Sequence, residues 1–213
     1  MHPLEEQVMK YADGFRALYK QCNALMLKEE DRLLQTLEGF PQMPDANCLL
    51  VYGYIDHEQG LTFEVLAMGR KDEDGFAFAS GRSDTRVIIR AFNLLDHDFY
   101  PVDSSYEEEH AAKIGLLKHY DAAPEIEQTR SMEFLDGSRE PGFVDDVLVY
   151  FVKDEFDVEA CWVRIEGVRA PRLVGTLLNE PNQDFGCHRN DRITFVVHKM
   201  NDGKAVCVAE LAK

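Results

Sequence analysis

The sequence predicts an α+β fold: a long N-terminal amphipathic helix with a β-hairpin, then a second helix followed by a mostly antiparallel twisted sheet. Three observations predict it. Apolar residues recur at helical spacing over residues 4–25, a helix-capping pattern precedes residues 107–120, and short alternating runs fill the second half. With 213 residues the chain is long enough for two small domains, which we place at 1–103 and 104–213.

The first predicted element is a helix with one apolar face. Its apolar side chains recur at alternating spacings of four and three, which places them along one stripe of a helix surface. We predict that this stripe packs across a sheet. It also fits a short coiled coil, so a homodimer through the residue 4–25 helix stays open. The stripe consists of Leu4, Val8, Tyr11, Phe15, Leu18, Cys22 and Leu25.

A β-hairpin is predicted next. Residues 48–55 and 61–68 are rich in β-branched and aromatic side chains, and a polar turn separates them. Residues 85–96 fit either a strand or a helix, and we predict a helix.

The two predicted domains are joined by a linker at residues 96–105, which holds a proline and several turn formers. Ser105 and Glu108 have the spacing of a capping box, so we predict that a helix follows over residues 107–120 and that Pro124 ends it.

The remainder of the chain reads as strands separated by turns. In the third of them Cys161 and its alternate neighbours face the core, and Trp162 and Arg164 face the other way. Gly175 predicts a bulge, or a close approach by another backbone or by a ring such as that of Trp162. The predicted strands are 126–134, 146–153, 160–166, 172–179, 192–199 and 204–210.

The composition limits the classes of partner. The net charge is −16 and the acidic excess is shared by both halves of the chain. A surface of that sign repels nucleic acid and anionic membranes, and it favours a basic protein partner or simply keeps the protein in solution. We therefore predict no nucleic-acid partner and no membrane partner.

The termini and cysteines indicate a cytoplasmic protein. Residues 1–10 contain no basic segment followed by an apolar run, as a signal peptide would. The apolar run at residues 147–152 is too short to span a bilayer. The five cysteines are odd in number and irregular in spacing, which indicates reduced thiols and no structural zinc site.

No motif in the chain specifies a reaction. Phosphate-binding glycine motifs, the serine-nucleophile motif and the zinc-protease motif are all missing from the sequence, so we predict no cofactor and no metal, and we assign no catalytic residue. Cys187 and His188 are adjacent, but neighbouring residues on a strand point to opposite faces. Turn residues are therefore the better interpretation of this pair.

Two other charged patterns are interpreted structurally. Histidines 57 and 97 each stand between carboxylates, and we assign both triplets, 56–58 and 96–98, to surface turns. Five carboxylates bracket the apolar strand at residues 147–152, and we interpret them as solvated strand ends that suppress edge pairing: Asp145, Asp146, Asp154, Glu155 and Asp157.

The second half resembles the YegJ-like family of small bacterial domains of unknown function. The resemblance lies in Glu159 to Val163, in Gly175 to Pro181 and in Asn190 to Phe195, and it spans roughly residues 105–200. Asn190 stands where the family has glycine, and asparagine tolerates the same left-handed turn. The resemblance implies a protein-binding role of the kind found in bacterial toxin–immunity gene clusters.

We therefore predict a non-catalytic binding protein of bacterial type and, as its specific form, an immunity protein that neutralises a basic toxin by protein–protein contact. Two alternatives stay open: a small hydrolase or thiol-dependent enzyme near Cys187, His188 and Glu180, and a dimerising structural module. The candidate binding residues are Trp162, Arg164, Asn179, Glu180, Asp191 and His198.

Overall fold

The computed structural model describes residues 8–80, 84–201 and 203–211, and the chain divides into two compact units, Met1–Asp121 and Ala122–Lys213. The protein is mainly β, with 40% strand and 20% helix, so the predicted helix-led α+β fold is wrong. The division falls after residue 121, whereas the sequence predicted a boundary between residues 103 and 104. The helical segment at residues 105–120 therefore belongs to the first unit. Within the described ranges, no helix is both long and apolar enough to cross a membrane.

The predicted N-terminal helix is absent from its described part, residues 8–25. Two 3₁₀ turns, Tyr11–Asp13 and Phe15–Ala17, flank Gly14, and strand β1 (Cys22–Met26) follows. Gly14 has φ +116°, a conformation that interrupts any helix. The stripe residues Phe15, Leu18, Cys22 and Leu25 are buried in the first unit, and Leu4 lies outside the described residues. Core contacts from successive short elements produced the helix-like spacing, and the helix through which a homodimer was left open is missing from residues 8–25.

One six-stranded sheet organises the first unit. Its order is β4-β3-β2-β1-β6, with β5 paired on β3. The predicted hairpin is confirmed as the antiparallel pair β2–β3. Residues 85–96, predicted as a helix, instead contain β5 and a 3₁₀ turn, Ala91–Asn93. The strands after β1 are β2 (Cys48–Asp56), β3 (Gly60–Asp72), β4 (Gly75–Phe78), β5 (Ile88–Arg90) and β6 (Phe99–Pro101).

The helical segment after the sheet is broken into short pieces. Helices α1 (Ser105–Glu109) and α2 (Ala111–Gly115) are followed by a 3₁₀ turn, Leu116–Tyr120. The N-cap is Ser104, and the carboxylate of Asp103 accepts the Ser105 N–H at 2.9 Å, so the predicted Ser105–Glu108 box does not form the cap.

The second unit begins with helix α3 (Pro124–Arg130), where the sequence predicted a strand at 126–134. Pro124 starts this helix because a proline at the first position has no N–H to leave unpaired. A 3₁₀ segment, Glu133–Ser138, leads into the strands. These are β7 (Arg139–Glu140), β8 (Phe143–Val152), β9 (Glu159–Arg169), β10 (Arg172–Leu177), β11 (Arg192–Lys199) and β12 (Ala205–Glu210).

Strands β8 to β12 form a closed five-stranded barrel. Each pairs antiparallel with the next, and β12 returns to pair with β8 in parallel, with Cys207 opposite Val149 and Ala209 opposite Phe151. An odd number of alternating strands brings the first and the last into the same direction, so the closing pair must be parallel. The sequence predicted that Cys161 and its alternate neighbours on β9 face the core, and the structure confirms this. Inside lie Val147, Val149, Phe151, Cys161, Val163, Ile165, Leu177, Phe195 and Cys207, among others.

Two buried ion pairs connect β8 to its neighbours. Asp145 is 2% exposed and binds Arg130 of α3 through two hydrogen bonds of 3.0 and 2.7 Å. Asp146 binds Arg164 of β9 in the same two-bond manner, at 2.7 and 3.0 Å. The prediction that Asp145 and Asp146 are solvated strand ends is therefore wrong.

Gly175 sits where two backbones approach closely. The register between β9 and β10 shifts between Val174 and Gly175, which confirms the predicted bulge. A Cβ at Gly175 would lie 2.3 Å from the Arg164 carbonyl oxygen and 2.5 Å from Cγ1 of Val163. The nearest atoms therefore belong to β9 backbone and to Val163, and the ring of Trp162 is not among them.

Gly175→Ala is expected to destabilise the protein by about 1–3 kcal/mol, because the new methyl group meets a fixed carbonyl and the strands must separate. Gly167→Ala is the matched control: this glycine lies on the adjacent strand β9, and nothing lies within 4 Å of its added Cβ. Urea denaturation of both variants measures the difference. Equal midpoints for the two would show that the barrel accommodates the methyl group without cost.

Candidate functional site

Two loops come together at one end of the barrel. Residues 153–158 connect β8 to β9 and residues 178–191 connect β10 to β11, and alternate connections of a meander emerge at the same end. We call residues 153–159 and 179–191 the acidic end, because they include seven acidic residues and only two lysines or arginines, Lys153 and Arg189. Six of the seven are exposed and Glu159 is partly exposed. They are Asp154, Glu155, Asp157, Glu159, Glu180, Asp184 and Asp191.

The two loops are fixed to each other by hydrogen bonds. The Glu159 carboxylate accepts the backbone N–H of Asn182 at 2.7 Å, its side-chain amide at 2.9 Å and the N–H of Gln183 at 3.2 Å. These donors, the Asn182 backbone N–H first, lower the pKa of Glu159 below its ordinary value. The Gln183 amide in turn accepts the Asp157 N–H at 3.0 Å and donates to the Asp157 carbonyl at 2.9 Å. The loops therefore present one defined surface.

Asn179 attaches the longer loop to the barrel wall. Its side-chain oxygen accepts the Trp162 N–H at 2.7 Å, and the Leu178 N–H donates to the Trp162 carbonyl at 2.8 Å. The side chain thus continues the ladder between β10 and β9 past the last paired residue. Trp162 itself is half-buried on the outer wall, opposite Leu148 of β8. What it contributes to the loop is its backbone.

A second group of polar contacts shapes the tip of the loop. The Glu180 carboxylate pairs with Nδ1 of His188 at 2.7 Å and accepts the Arg189 N–H at 2.8 Å, while Asp191 accepts the His188 N–H at 2.8 Å. Asn190 has φ +75°, the left-handed conformation that the sequence predicted. The Arg189 N–H first, and His188 after it, lower the pKa of Glu180; the hydrogen bond to Glu180 raises the pKa of His188.

Apolar side chains are exposed among these charges. Phe156 is 36% exposed and Val158 is 61% exposed. The Phe156 ring lies 5.5 Å from the buried ring of Phe185, and the Lys153 ammonium lies 5.2 Å from its centroid. The Phe185 ring and the Lys153 ammonium therefore contact two sides of Phe156, and the remaining surface of its ring is exposed to solvent.

The structure brings together four of the six predicted binding residues. Asn179, Glu180 and Asp191 shape the loop of the acidic end, and Trp162 supports it through its backbone. Arg164 is engaged by Asp146 on the barrel wall. His198 lies near the other end of β11, roughly 20 Å along the strand from Arg192, at about 3.3 Å per residue.

The contacts of Cys187 do not favour a thiolate nucleophile. Cys187 packs against the barrel core, and burial first, then the negative charge of Asp191, raises the pKa of its thiol. A nucleophilic cysteine needs a lowered pKa and a base within hydrogen-bond reach. The adjacent His188 directs Nδ1 to Glu180 instead.

The histidine triplets are structural. Asp56 accepts backbone N–H groups of its own turn and pairs with Arg90 at 3.2 Å. His97 is buried and its Nε2 lies 2.9 Å from Asp31, so its assignment to a surface turn was wrong. In the described part of the chain, no three His, Cys, Asp or Glu side chains are grouped as metal ligands.

The first unit holds a buried charged cluster that sequence reasoning missed. Glu64 is fully buried on β3 and accepts two hydrogen bonds from Arg86, at 3.2 and 3.0 Å. The Lys113 ammonium lies 3.5 Å from the other oxygen, and burial is the main cause that lowers the pKa of Lys113. A glutamate within an otherwise apolar strand was the available signal, since a buried carboxylate requires partners.

A cleft of about 540 Å³ also lies in the first unit, beside α1 and α2. Tyr54, which lines it, is 4% exposed, and its hydroxyl has no hydrogen-bond partner among the described residues. Lysines 20 and 118 share the cleft with Glu107, Glu108 and Asp121. Because charges of both signs line it, the cleft indicates no single class of ligand.

The fold thus defines a two-unit, mainly β protein whose second unit is a small closed barrel with an ordered acidic end. Comparison with protein-family models, with curated proteins and with solved structures found no match. The resemblance to the YegJ-like family therefore stays a prediction.

Glu180→Gln is expected to lower the pKa of His188 toward its ordinary value near 6.5, because the carboxylate that stabilises the imidazolium is lost. With a raised pKa in the folded state, the pair stabilises the loop fully below the unfolded-state pKa. That contribution is lost as pH rises through the folded-state pKa. NMR titration of the imidazole signals measures the change. Glu155→Gln removes a carboxylate from the neighbouring loop and serves as the control; an equal decrease there would contradict the assignment.

Proposed function

We propose that the protein is a non-catalytic binding protein and that it holds a basic protein partner at the acidic end of its barrel. One observation carries the proposal: exposed Phe156 and Val158 stand among seven carboxylates on two loops that are hydrogen-bonded to each other. An exposed aromatic within a charged rim is the usual anatomy of a protein interface.

The state of the carboxylates supports binding over acid–base catalysis. Glu159 and Glu180 accept hydrogen bonds from backbone N–H groups, which lower the pKa of both side chains. A general acid needs a raised pKa, so that the proton is available near neutral pH. These carboxylates are instead held ionised, as constant negative charge.

Order in the loops supports the same function. Association is weakened by the entropy lost when flexible segments become fixed. Here Glu159 and Gln183 already fix one loop against the other, and Asn179 fixes the longer loop to the wall. A net charge of −16 also steers a basic partner toward the protein and increases the association rate.

The specific form of the proposal is an immunity protein that covers the active site of a basic toxin. The resemblance of residues 105–200 to the YegJ-like family supports this form by analogy, and the acidic end supplies the complementary charge. The corresponding test is co-expression with each basic protein that the neighbouring genes encode: where one of them stops growth, the chain should restore growth and Phe156→Ser should not. Failure of the chain to restore growth would contradict the immunity role.

Two double variants that change the net charge equally test the interface. Glu155→Lys/Asp157→Lys alters the acidic end, and Glu29→Lys/Glu30→Lys is the control. Glu29 and Glu30 are exposed in the first unit. The probes are cytochrome c and lysozyme, both basic, with acidic serum albumin as the negative control. The acidic-end variant should weaken binding to the basic probes by about tenfold, with a smaller effect from the other variant.

NMR shift mapping with the same probes should place the perturbed amides at residues 153–159 and 179–191. The binding should weaken as salt is added, because exposed charges are screened. Equal weakening by the two double variants, or perturbations spread over the whole surface, would show that net charge alone attracts the probes and would overturn the proposed interface.

A further inference from the structure

The end of the barrel opposite the acidic end contains a pocket of about 660 Å³. It lies where the β9–β10 turn and the β11–β12 turn approach α3 and the 3₁₀ segment after it. Its volume is within the range of roughly 300–1,000 Å³ usual for small-molecule sites. The apolar part of the lining, which we call the apolar floor, comes mainly from Met132, Phe134, Val168, Leu173 and Val197.

The apolar floor includes exposed apolar surface that a ligand can contact. Leu173 is 5% exposed and belongs to the barrel core, so the base of the pocket is rigid. Phe134 is 53% exposed, and a ligand lying in the pocket would remove part of that ring from water. Met132 adds an unbranched, polarizable side chain that adapts to ligands of different shape.

Two cations line the same pocket. Arg172, at the start of β10, and Lys199, at the end of β11, are both exposed. Neither forms an ion pair with any residue in the described ranges. On a chain with a net charge of −16, two cations that form no ion pair with a described residue and that line an apolar pocket form a local site for an anion.

We propose that this pocket binds an aliphatic carboxylate, whose hydrocarbon chain lies on the apolar floor and whose carboxylate pairs with Arg172 and Lys199. The planar guanidinium of arginine offers two parallel N–H donors to a carboxylate, and lysine adds a second positive charge. The site lies at the other end of the barrel from the proposed protein interface and does not depend on it.

The first test is calorimetric titration with hexanoate, octanoate and decanoate, each below its micelle concentration. The dissociation constant is expected to decrease roughly three- to fourfold for each added methylene that enters the pocket. Octanol, with the chain length of octanoate and no charge, should bind more weakly than octanoate by about tenfold or more. Affinity that does not depend on chain length, equal binding of the alcohol, or no binding of any carboxylate would overturn the proposal.

The second test separates the two parts of the site. Arg172→Gln/Lys199→Gln should weaken decanoate binding by about tenfold or more, and Phe134→Ala should weaken it while reducing the dependence on chain length. The matched control is Arg189→Gln/Arg192→Gln, which removes two exposed arginines at the other end of the barrel. Circular dichroism verifies that each variant is folded. Equal weakening by this control would show that the anion senses only the net charge, which would contradict the site.

Discussion

The parallel pairing of β12 with β8 is the constraint on which the second unit depends. It joins the last strand of the meander to the first, so the barrel strands have no open edge on either side. The antiparallel order of the meander sends the 153–158 and 178–191 loops to one end of the closed barrel and the two short turns to the other. The acidic loops and the apolar pocket with its two cations are therefore separated by the length of the barrel.

Buried charge fixes what surrounds this barrel. Arg130 and Asp145 are both almost fully buried, so removing either would take from the other a charged partner at 2.7 Å in a medium of low polarity. Their pairing sets the position of α3 on β8, and α3 with the segment after it forms one wall of the apolar pocket. The Asp146–Arg164 pair fixes the position of β9 against β8 in the same way. The β8 carboxylates thus determine geometry that the apolar core alone would leave looser.

Sequence patterns predicted the β2–β3 hairpin and the barrel strands but not the elements around them. Alternation predicted the five barrel strands and the inward face of Cys161, and the left-handed turn at Asn190 was expected because the resembling family has glycine there and asparagine tolerates the same conformation. The N-terminal helix failed because Leu18, Cys22 and Leu25 reach one core from successive short elements, which imitates helical spacing. Of the candidate site, Asn179, Glu180 and Asp191 were found from one short stretch of sequence.

Contacts between residues far apart in the chain could not be predicted from the sequence. Glu64 meets Arg86 and Lys113 only after the sheet and α2 have folded, and nothing in the local pattern of β3 names those partners. The contribution of Glu159 was missed for the same reason, since the N–H groups that donate to its carboxylate lie in another loop: Asn182 and Gln183 reach it only once β9 and β10 are paired.

The base of the longer loop has a consequence for how this protein can change over evolutionary time. Asn190 donates its N–H to the Leu177 carbonyl at 2.8 Å, and the Leu177 N–H donates to the Asp191 carbonyl at 2.9 Å. With Asn179 bonded to the neighbouring strand, the loop is closed below its tip by contacts that use mostly backbone atoms. Exposed residues above that closure that take no part in the hydrogen bonds of the loop can mutate with little effect on folding. A lineage can therefore acquire a new binding preference there while it keeps the same barrel.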